Sequence, residues 1–229
     1  FGDNTSFDPN NRNNKKGYWS KAATECLMGE VYLWISKVTT GNDVADESNL
    51  VTAKKHLLNV LSNYGLDCVE NFANVFEAKK NKGNKEIIFA VRYAEGEATN
   101  SNNLFTYAMA TGSTKDRYKE NGEKFLDALN LGNTGSQQLE YKRELYTSFD
   151  DKDTRRDATF IASYNKDEVT NELSLFGTHV CKNIGYVNDQ GARIYCGDYI
   201  IYRLPWVWLT LAEIENMQGG DVAAYINKV

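Results

Sequence analysis

The closing stretch of the chain, DYIIYRLPWVWLTLAEIENMQGGDVAAYINKV, restricts the fold more than any other segment. An apolar strand runs directly into Pro205, which fixes φ and lacks an N–H group, as suits the first turn of a helix. The glycines at 219 and 220 permit the left-handed backbone that ends a helix, and Asp221 can cap another one. The stretch therefore predicts a strand followed by a helical hairpin over residues 201–229.

Both helices of this C-terminal hairpin carry an apolar stripe that is expected to be buried. In the first helix the stripe consists of Val207, Leu209, Leu211, Ala212, Ile214 and Met217. In the second helix it consists of Val222, Tyr225, Ile226 and Val229. Each helix thus has one face for packing against the rest of the chain.

A second helical hairpin is predicted near the start of the chain, over residues 18–64. The apolar stripe of its first helix is wide enough to bury two faces and consists of Trp19, Ala22, Ala23, Cys26, Leu27, Val31, Trp34 and Val38. The second helix covers residues 50–63, and its apolar positions are Val51, Leu57, Leu58 and Leu61. Paired antiparallel helices are typical of helical-repeat proteins, and the distance from Ala23 to Ala53 approaches the tetratricopeptide period, without a clean repeat signature.

Between the hairpins, residues 84–200 are predicted to form a loop-rich region with short strands. Strands are indicated by the segments NKEIIFAVRY, ATFIASYN and ELSLFGTHV, and a short helix by QQLEYKRELYTSF. The NDQG turn near residue 189 predicts a β-hairpin. The fold class is therefore mainly α, with tetratricopeptide-like helical hairpins, long loops and a few short strands in a single domain over residues 1–229.

The acidic balance of the chain argues against a nucleic-acid partner. Its net charge is -5, and its Lys and Arg residues are scattered, whereas a phosphate-binding groove needs clustered positive charge. The mean hydropathy is -0.55, and no apolar run reaches about 18 residues, so no membrane span is expected.

The four cysteines do not have the spacing of a structural zinc site. Cys26 lies on the apolar stripe of a helix and is expected to be a buried thiol. Cys181 and Cys196 flank the predicted β-hairpin, so they can form a disulfide if the compartment is oxidising. No metal or cofactor is expected.

The densest group of carboxylates lies in DDKDTRRD, at residues 150–157. Two carboxylates about 5–10 Å apart could hydrolyse a glycosidic bond. The interspersed Lys152, Arg155 and Arg156 instead favour ion pairs that hold a loop. His56 and His179 are isolated, and the sequence contains no HExxH, GxSxG, P-loop or GxGxxG motif. We therefore expect a protein that is not an enzyme, with a glycoside hydrolase as the less favoured alternative.

The C-terminal stretch resembles the signature of the SusD/RagB family. The matching residues are Ile200–Leu204, Leu209, Ala212–Glu213, Asn216, Gly220–Asp221 and the run AYINKV. Pro205 and Trp206 depart from the family pattern, and its last Arg has no counterpart here. Upstream, AATECLMGEVYLW, NKEIIFAVRY and DTRRDATF also resemble family segments, so the resemblance extends from residue 18 to residue 229.

This resemblance implies a function in nutrient uptake. Members of the family are outer-membrane, surface-exposed lipoproteins that bind glycans, or in some cases peptides, and deliver them to a TonB-dependent transporter. The chain is expected to correspond to the C-terminal portion of such a protein, with the N-terminal half and its lipid anchor missing. Apolar faces of the helix at residues 19–38 are then expected to lack partners.

A glycan-binding site is predicted on the long loop that follows residue 92, because this loop combines aromatic rings with amide and guanidinium groups. Rings stack on sugar faces, while amides and Arg bond the hydroxyls. The candidate ligand-binding residues are Tyr93, Asn103, Tyr107, Arg117 and Tyr118. Three alternatives stay open: rings that only pack the loop onto the helices, a peptide-binding site, and a scaffold that only docks on the transporter.

Overall fold

A computed structural model of the chain describes residues 15–79, 82–100, 116–125, 139–182 and 184–229. These residues form two compact units that alternate along the chain. The first unit contains the described residues up to Glu70 together with Gly83–Val91 and Ile200–Val229, and the second contains Asn71–Lys82 and Arg92–Tyr199. In the described ranges, every helix is too short or too polar to cross a membrane.

The first unit is built from helices and one two-stranded sheet. Its helices are α1 (Lys21–Lys37), α2 (Asn49–Asn63), α5 (Leu204–Gln218) and α6 (Ala223–Ile226), preceded by a 3₁₀ turn at Lys15–Gly17. Strands β1 (Ile87–Val91) and β6 (Tyr199–Arg203) are hydrogen-bonded neighbours. Helices α1 and α2 lie within the segment predicted as a helical hairpin at 18–64, and the C-terminal stretch has the predicted order of strand, helix and helix.

Helix α1 packs very closely on α2 where its inner face is made of small residues. Ser20 caps the helix by accepting a hydrogen bond from the Ala23 N–H group at 3.2 Å. Ala22, Cys26 and Gly29 are buried on the inner face. A Cβ atom on Gly29 would lie 2.6 Å from the side chain of Leu57, which is itself fully buried. The predicted burial of the Cys26 thiol is therefore confirmed, and Gly29 sets the spacing of the two helices.

The junction between β6 and α5 is held by Glu86, which explains why the strand runs directly into the helix. The buried Glu86 carboxylate accepts hydrogen bonds from Arg203 Nη1 at 2.7 Å and from the Val69 N–H group at 3.1 Å. Its main-chain carbonyl accepts the N–H of Leu204 at 3.0 Å. That N–H is one of the groups at a helix start that lack an intrahelical partner. Pro205 in the first turn has no N–H to satisfy.

The C-terminal hairpin ends its first helix as predicted, but its second helix is not buried. Gly219 adopts the left-handed conformation with φ 69°, and the Asp221 side chain accepts a hydrogen bond from the Ala224 N–H at 3.2 Å. Helix α6 buries none of its residues, and Ile226 and Val229 are exposed. The predicted burial of Ile226 and Val229 is therefore wrong, whereas Val222 and Tyr225 are half-buried and Tyr225 packs against the core.

The predicted apolar faces of the other helices are also wider than the faces the structure buries. Residues predicted to be buried but exposed are Leu27, Val31 and Trp34 in α1, Val51 and Leu58 in α2, and Leu209 in α5. Trp19, just before α1, is at the border of exposure. A helix that packs on one side buries only a stripe of its surface, here Leu50, Ala53, Leu57 and Val60 in α2.

The second unit contains short strands and short helices. The helices are α3 (Arg143–Thr147) and α4 (Thr154–Thr159), with a 3₁₀ turn at Phe72–Phe76. Strands β2 (Phe160–Lys166) and β3 (Leu173–Val180) pair in antiparallel fashion, as do β4 (Tyr186–Val187) and β5 (Arg193–Ile194). The two predicted strands and the predicted hairpin are confirmed. The prediction of a single domain over 1–229 stays a prediction.

The charged segment at 150–157 forms ion pairs, as its composition suggested. The largely buried Arg156 contacts Glu120 at 3.1 Å, Asp151 at 3.1 Å and Asp157 at 2.8 Å. Asp153 caps α4 through the Arg155 N–H group. These contacts use the carboxylates to fix the start of α4.

Cys181 and Cys196 flank the β4–β5 hairpin, and both are free thiols in this structure. Burial raises the pKa of the Cys181 thiol to about 11, and it also raises that of Cys196. Both groups are therefore protonated at neutral pH, and the thiolate that forms disulfides is scarce.

Replacing Gly29 with Val tests the close approach of α1 to α2. We expect Gly29→Val to lower the free energy of unfolding by about 2 kcal/mol or more, because its branched side chain must displace Leu57. Urea denaturation measures the effect. Leu57→Ala alone should cost about 2–5 kcal/mol. The double variant should lose much less unfolding free energy than the sum of the two single losses. A loss equal to that sum would contradict the predicted contact.

Acid sensitivity is expected from His179, which is buried on β3. Neither ring nitrogen has a hydrogen-bond partner among the described residues, and burial lowers the pKa of His179 from 6.5 to about 4. Between these values the unfolded chain binds a proton that the folded chain does not. The free energy of unfolding should therefore fall by about 3 kcal/mol as the pH drops from 6.5 to 4. Denaturant titrations across this range should give a flatter profile for His179→Leu, and equal slopes would refute the assignment.

Candidate functional site

Tyr93 begins the predicted binding loop and is fixed through its main chain. Its N–H group donates to Asp198 Oδ1 at 2.9 Å, and its carbonyl accepts a hydrogen bond from Lys82 Nζ. The same ammonium donates to the Cys196 carbonyl at 2.8 Å and pairs with Asp198 at 2.9 Å. One buried ion pair therefore holds the start of the loop and the end of the β4–β5 hairpin together.

The electrostatics of this ion pair reflect its burial. The side chains of Lys82 and Asp198 are only 12% and 7% exposed. Burial raises the pKa of the Asp198 carboxyl, while the Lys82 ammonium and the Tyr93 N–H group oppose that rise. Because a buried carboxylate is costly without a partner, the geometry of the loop depends on this pair being intact.

Tyr118 lies on a short extended segment beside β2. Its N–H and carbonyl groups exchange two hydrogen bonds with Tyr164, each 2.9 Å long. On the other side, Tyr118 is bridged to Lys124, and the Arg117 carbonyl accepts the N–H of Phe125 at 2.9 Å. The segment is therefore joined to β2 by an isolated β-bridge, and its position is set by main-chain bonds.

The Arg117 guanidinium stacks on an aromatic ring. Its Cζ atom lies 3.9 Å from the centre of the Phe176 ring, which is within cation–π range. The pairing of β2 with β3 shifts register at this point. Ser163 pairs with Gly177, and the next residue, Tyr164, pairs with Leu175. Phe176 is therefore left without a partner on β2. Such a β-bulge redirects a side chain, and here it aims the ring at Arg117.

Within the described part of the chain, the side chain of Arg117 makes no hydrogen bond or ion pair, and its buried Nε atom has no partner there. The neighbouring Tyr118 ring has Lys166 Nζ 5.6 Å from its centre. An oriented guanidinium whose donors have no partner among the described residues can bind a polar ligand that offers several oxygen acceptors.

Two of the five residues predicted from the sequence, Arg117 and Tyr118, are consecutive on the extended segment beside β2. Consecutive side chains of an extended segment point to opposite sides, and here Arg117 contacts Phe176 while Lys166 lies over the Tyr118 ring. Tyr93 belongs to the Lys82–Asp198 network, and the described hydrogen bonds and ring contacts do not connect it with the other two. Asn103 and Tyr107 lie outside the described residues.

Sequence reasoning missed Phe176, Lys166 and Arg143. Arg143 donates to the carbonyls of Leu175 and Phe176 at 3.2 and 2.5 Å, so it supports the bulge that presents the Phe176 ring. A bulge has no clear signature in a single sequence. The alternation of β2 could have indicated Lys166, because Tyr164 and Lys166 are two residues apart and share a face.

A further polar cluster lies where the loop meets the β4–β5 hairpin. Glu95 accepts hydrogen bonds from the Tyr186 hydroxyl and from Asn188 Nδ2, the latter at 3.2 Å. Lys79 Nζ lies 5.0 Å from the centre of the Tyr186 ring. Within the described ranges, no group of three or more His, Cys, Asp or Glu residues could hold a metal ion.

Solved structures show which family has this architecture. A SusD superfamily protein from Bacteroides fragilis is 65% identical, with a TM-score of 0.88 over 97% of this chain and 46% of that protein. The chain belongs to the SusD superfamily. B. fragilis NanU is 32% identical, with a TM-score of 0.83 over 93% of this chain and 43% of NanU. A SusD superfamily protein from Bacteroides vulgatus is 30% identical, with a TM-score of 0.82 over 93% of this chain and 44% of that protein.

The chain thus spans less than half the length of these SusD superfamily relatives. More distant structures share the fold alone. They include surface glycan-binding protein A from Bacteroides uniformis, at 18% identity and a TM-score of 0.55, and a protein solved with xylogluco-oligosaccharide, at 23% identity and a TM-score of 0.53. No family model and no curated protein matches the sequence.

Removing the buried ammonium tests how the SusD-type loop is held. We expect Lys82→Met to lower the free energy of unfolding by about 3–5 kcal/mol, because Asp198 would be left buried without its partner. Adding Asp198→Asn should recover much of this loss, since a neutral amide oxygen can still accept the Tyr93 N–H group. Urea denaturation of both variants measures this. A double variant no more stable than Lys82→Met would contradict the role of the pair.

Proposed function

We propose that this chain carries a glycan-binding surface of a SusD-type protein. The observation that carries the proposal is the Arg117 guanidinium, which is stacked on Phe176 and has no acidic partner in the described residues. The Tyr118 ring is proposed as a second contact, on the other side of the same extended segment. Membership of the SusD superfamily supports it, as does the fold shared with a surface glycan-binding protein and with a protein solved with an oligosaccharide.

The chemistry of the two residues suits a sugar. The faces of a pyranose ring carry C–H groups, and stacking them on Tyr118 removes apolar surface from water. Its hydroxyl oxygens are acceptors for the N–H groups of Arg117 that have no partner among the described residues, and the planar guanidinium holds these groups in a fixed direction. Lys166 Nζ, 5.6 Å from the centre of the Tyr118 ring, is a second cationic donor beside this ring. Tyr93, Asn103 and Tyr107 stay proposed contacts on the same loop.

The wider role follows from the family. We propose that the glycan is delivered to a TonB-dependent transporter at the outer membrane, where a lipid-anchored, surface-exposed protein of this family would act. Binding without hydrolysis fits a site in which the carboxylates near Arg156 are engaged in ion pairs. The tetratricopeptide-like character of the helical hairpins belongs to the same proposal.

The proposal is tested by affinity electrophoresis or isothermal titration over a panel of polysaccharides and oligosaccharides. We expect Tyr118→Ala to weaken binding by about tenfold or more, since stacking is worth on the order of 1 kcal/mol or more, and Tyr118→Phe to keep most of the affinity. Tyr141→Ala is the matched control, because Tyr141 is an exposed tyrosine outside this strand. Melting temperatures exclude misfolding.

Three outcomes separate the proposed function from its alternatives. Loss of binding in Tyr118→Ala, with unchanged melting and an unaffected Tyr141→Ala, supports the glycan surface. Glycan binding that survives Tyr118→Ala and Arg117→Ala would place the site elsewhere. Absence of binding to every glycan, together with binding of peptides or of the transporter, would replace the glycan proposal.

A further inference from the structure

Arg117 differs from the other arginines of the described residues in how its charge is balanced. Those that contact a carboxylate, at 2.7–3.7 Å, are Arg92, Arg143, Arg155, Arg156 and Arg203. Arg193 donates to the Ile184 carbonyl at 3.0 Å. The Arg117 side chain has neither kind of contact in the described ranges, although the chain has 31 acidic and 26 basic residues. A shortage of carboxylates therefore does not explain the missing partner.

The Phe176 ring holds the Arg117 guanidinium without using its hydrogen-bond donors. The Cζ atom lies 3.9 Å from the centre of the ring, whose face attracts the positive charge. The N–H groups of a guanidinium point outward in the plane of the group. Of the Arg117 nitrogens, Nε is the one that is buried without a partner among the described residues, so the two terminal Nη groups are those that a ligand can reach. The ring thus orients a fork of two donor groups.

A second guanidinium lies at the same β-bulge. Arg143 donates to the carbonyls of Leu175 and Phe176 at 3.2 and 2.5 Å. The carboxylate beside it, Glu140, lies 3.7 Å from Arg143 Nε and accepts the Thr178 N–H group at 3.1 Å. Glu140 is thereby committed to Arg143 and to the main chain of β3. Among these contacts two guanidinium groups are balanced by one carboxylate, and this excess of positive charge favours an anionic ligand.

A carboxylate suits the Arg117 fork better than a neutral hydroxyl does. Hydrogen bonds from a guanidinium to a charged acceptor are roughly twice as strong as those between neutral groups. The two oxygens of a carboxylate lie in one plane, so both Nη groups can donate to it at once. We propose that Arg117 is a carboxylate-binding subsite and that the saccharide bound by this surface contains a hexuronic-acid unit. The inference rests on the proposed glycan-binding function and narrows its ligand to acidic saccharides.

The test compares acidic oligosaccharides with neutral ones of the same linkage. One pair is an oligogalacturonic acid and its methyl ester, and another is a glucuronic acid-containing oligosaccharide and its carboxyl-reduced form. Isothermal titration at low ionic strength measures the affinities. We expect the acid form of at least one pair to bind about tenfold or more tightly than its neutral partner. Added salt should reduce this difference, because it screens the charges.

Matched substitutions assign the preference to Arg117. Arg117→Gln should remove the preference for the acid form, whereas Arg117→Lys should keep part of it, because the charge stays while the planar fork is lost. Arg155→Gln is the control, since it removes the same charge in the same unit from an arginine that pairs with Asp153. This control should leave the preference unchanged. Equal melting temperatures of the variants exclude misfolding.

The outcomes distinguish failure of the carboxylate subsite from failure of the proposed function. Equal binding of the acid and neutral forms, weakened by Tyr118→Ala, would overturn the subsite and leave the glycan-binding function standing. An acid preference that Arg117→Gln does not reduce would also overturn the subsite. Binding of sulfated oligosaccharides but of no hexuronic-acid form would overturn the assignment of a carboxylate. Binding of no saccharide at all would overturn both proposals.

Discussion

The close contact between α1 and α2 is the constraint on which the first unit depends. Gly29 allows the axes to approach until Leu57 fills the space that a side chain would otherwise occupy. The seam is narrow at this glycine, whereas Leu33 adds a larger buried side chain to the inner face nearer the end of the helix. The other large apolar residues of α1, Leu27, Val31, Trp34 and Ile35, lie on its opposite side and are exposed.

A second organising element is the buried carboxylate of Glu86. It joins the segment before β1, the end of β6 and the Val69 main chain through one side chain. The bond from its own carbonyl to Leu204 adds the start of α5. A single charged residue therefore positions three separate parts of the chain, and Arg203 supplies the countercharge that makes its burial tolerable.

Local sequence patterns predicted the positions of the helices and strands well, but they predicted the burial of individual side chains poorly. Ser20, Pro205 and Gly219 mark the starts and ends of helices through interactions within one helical turn, so the sequence alone predicts them. Burial depends on partners that are distant in sequence, which is why periodicity assigned Leu209 and Ile226 to the core when they are exposed. The short strands were found because each has a compact apolar run between turn residues.

The candidate site was likewise predicted in part. Residue type and loop length indicated Arg117 and Tyr118, and the structure adds the contacts that these residues make. The ring that orients Arg117 comes from a β-bulge, and the ion pair that fixes Tyr93 joins residues more than 100 positions apart. Both depend on register and tertiary contact, for which a single sequence carries no local signal.

Main-chain anchoring of the Tyr118 segment has a consequence for how proteins of this fold could diverge. The two bonds to Tyr164 use only backbone groups, and they do not depend on which side chains the segment carries. Substitutions at positions 117 and 118 can therefore change what the strand recognises while its placement is retained. In such a surface the backbone position is retained when the side chains change. Ligand specificity can therefore change through single amino-acid substitutions.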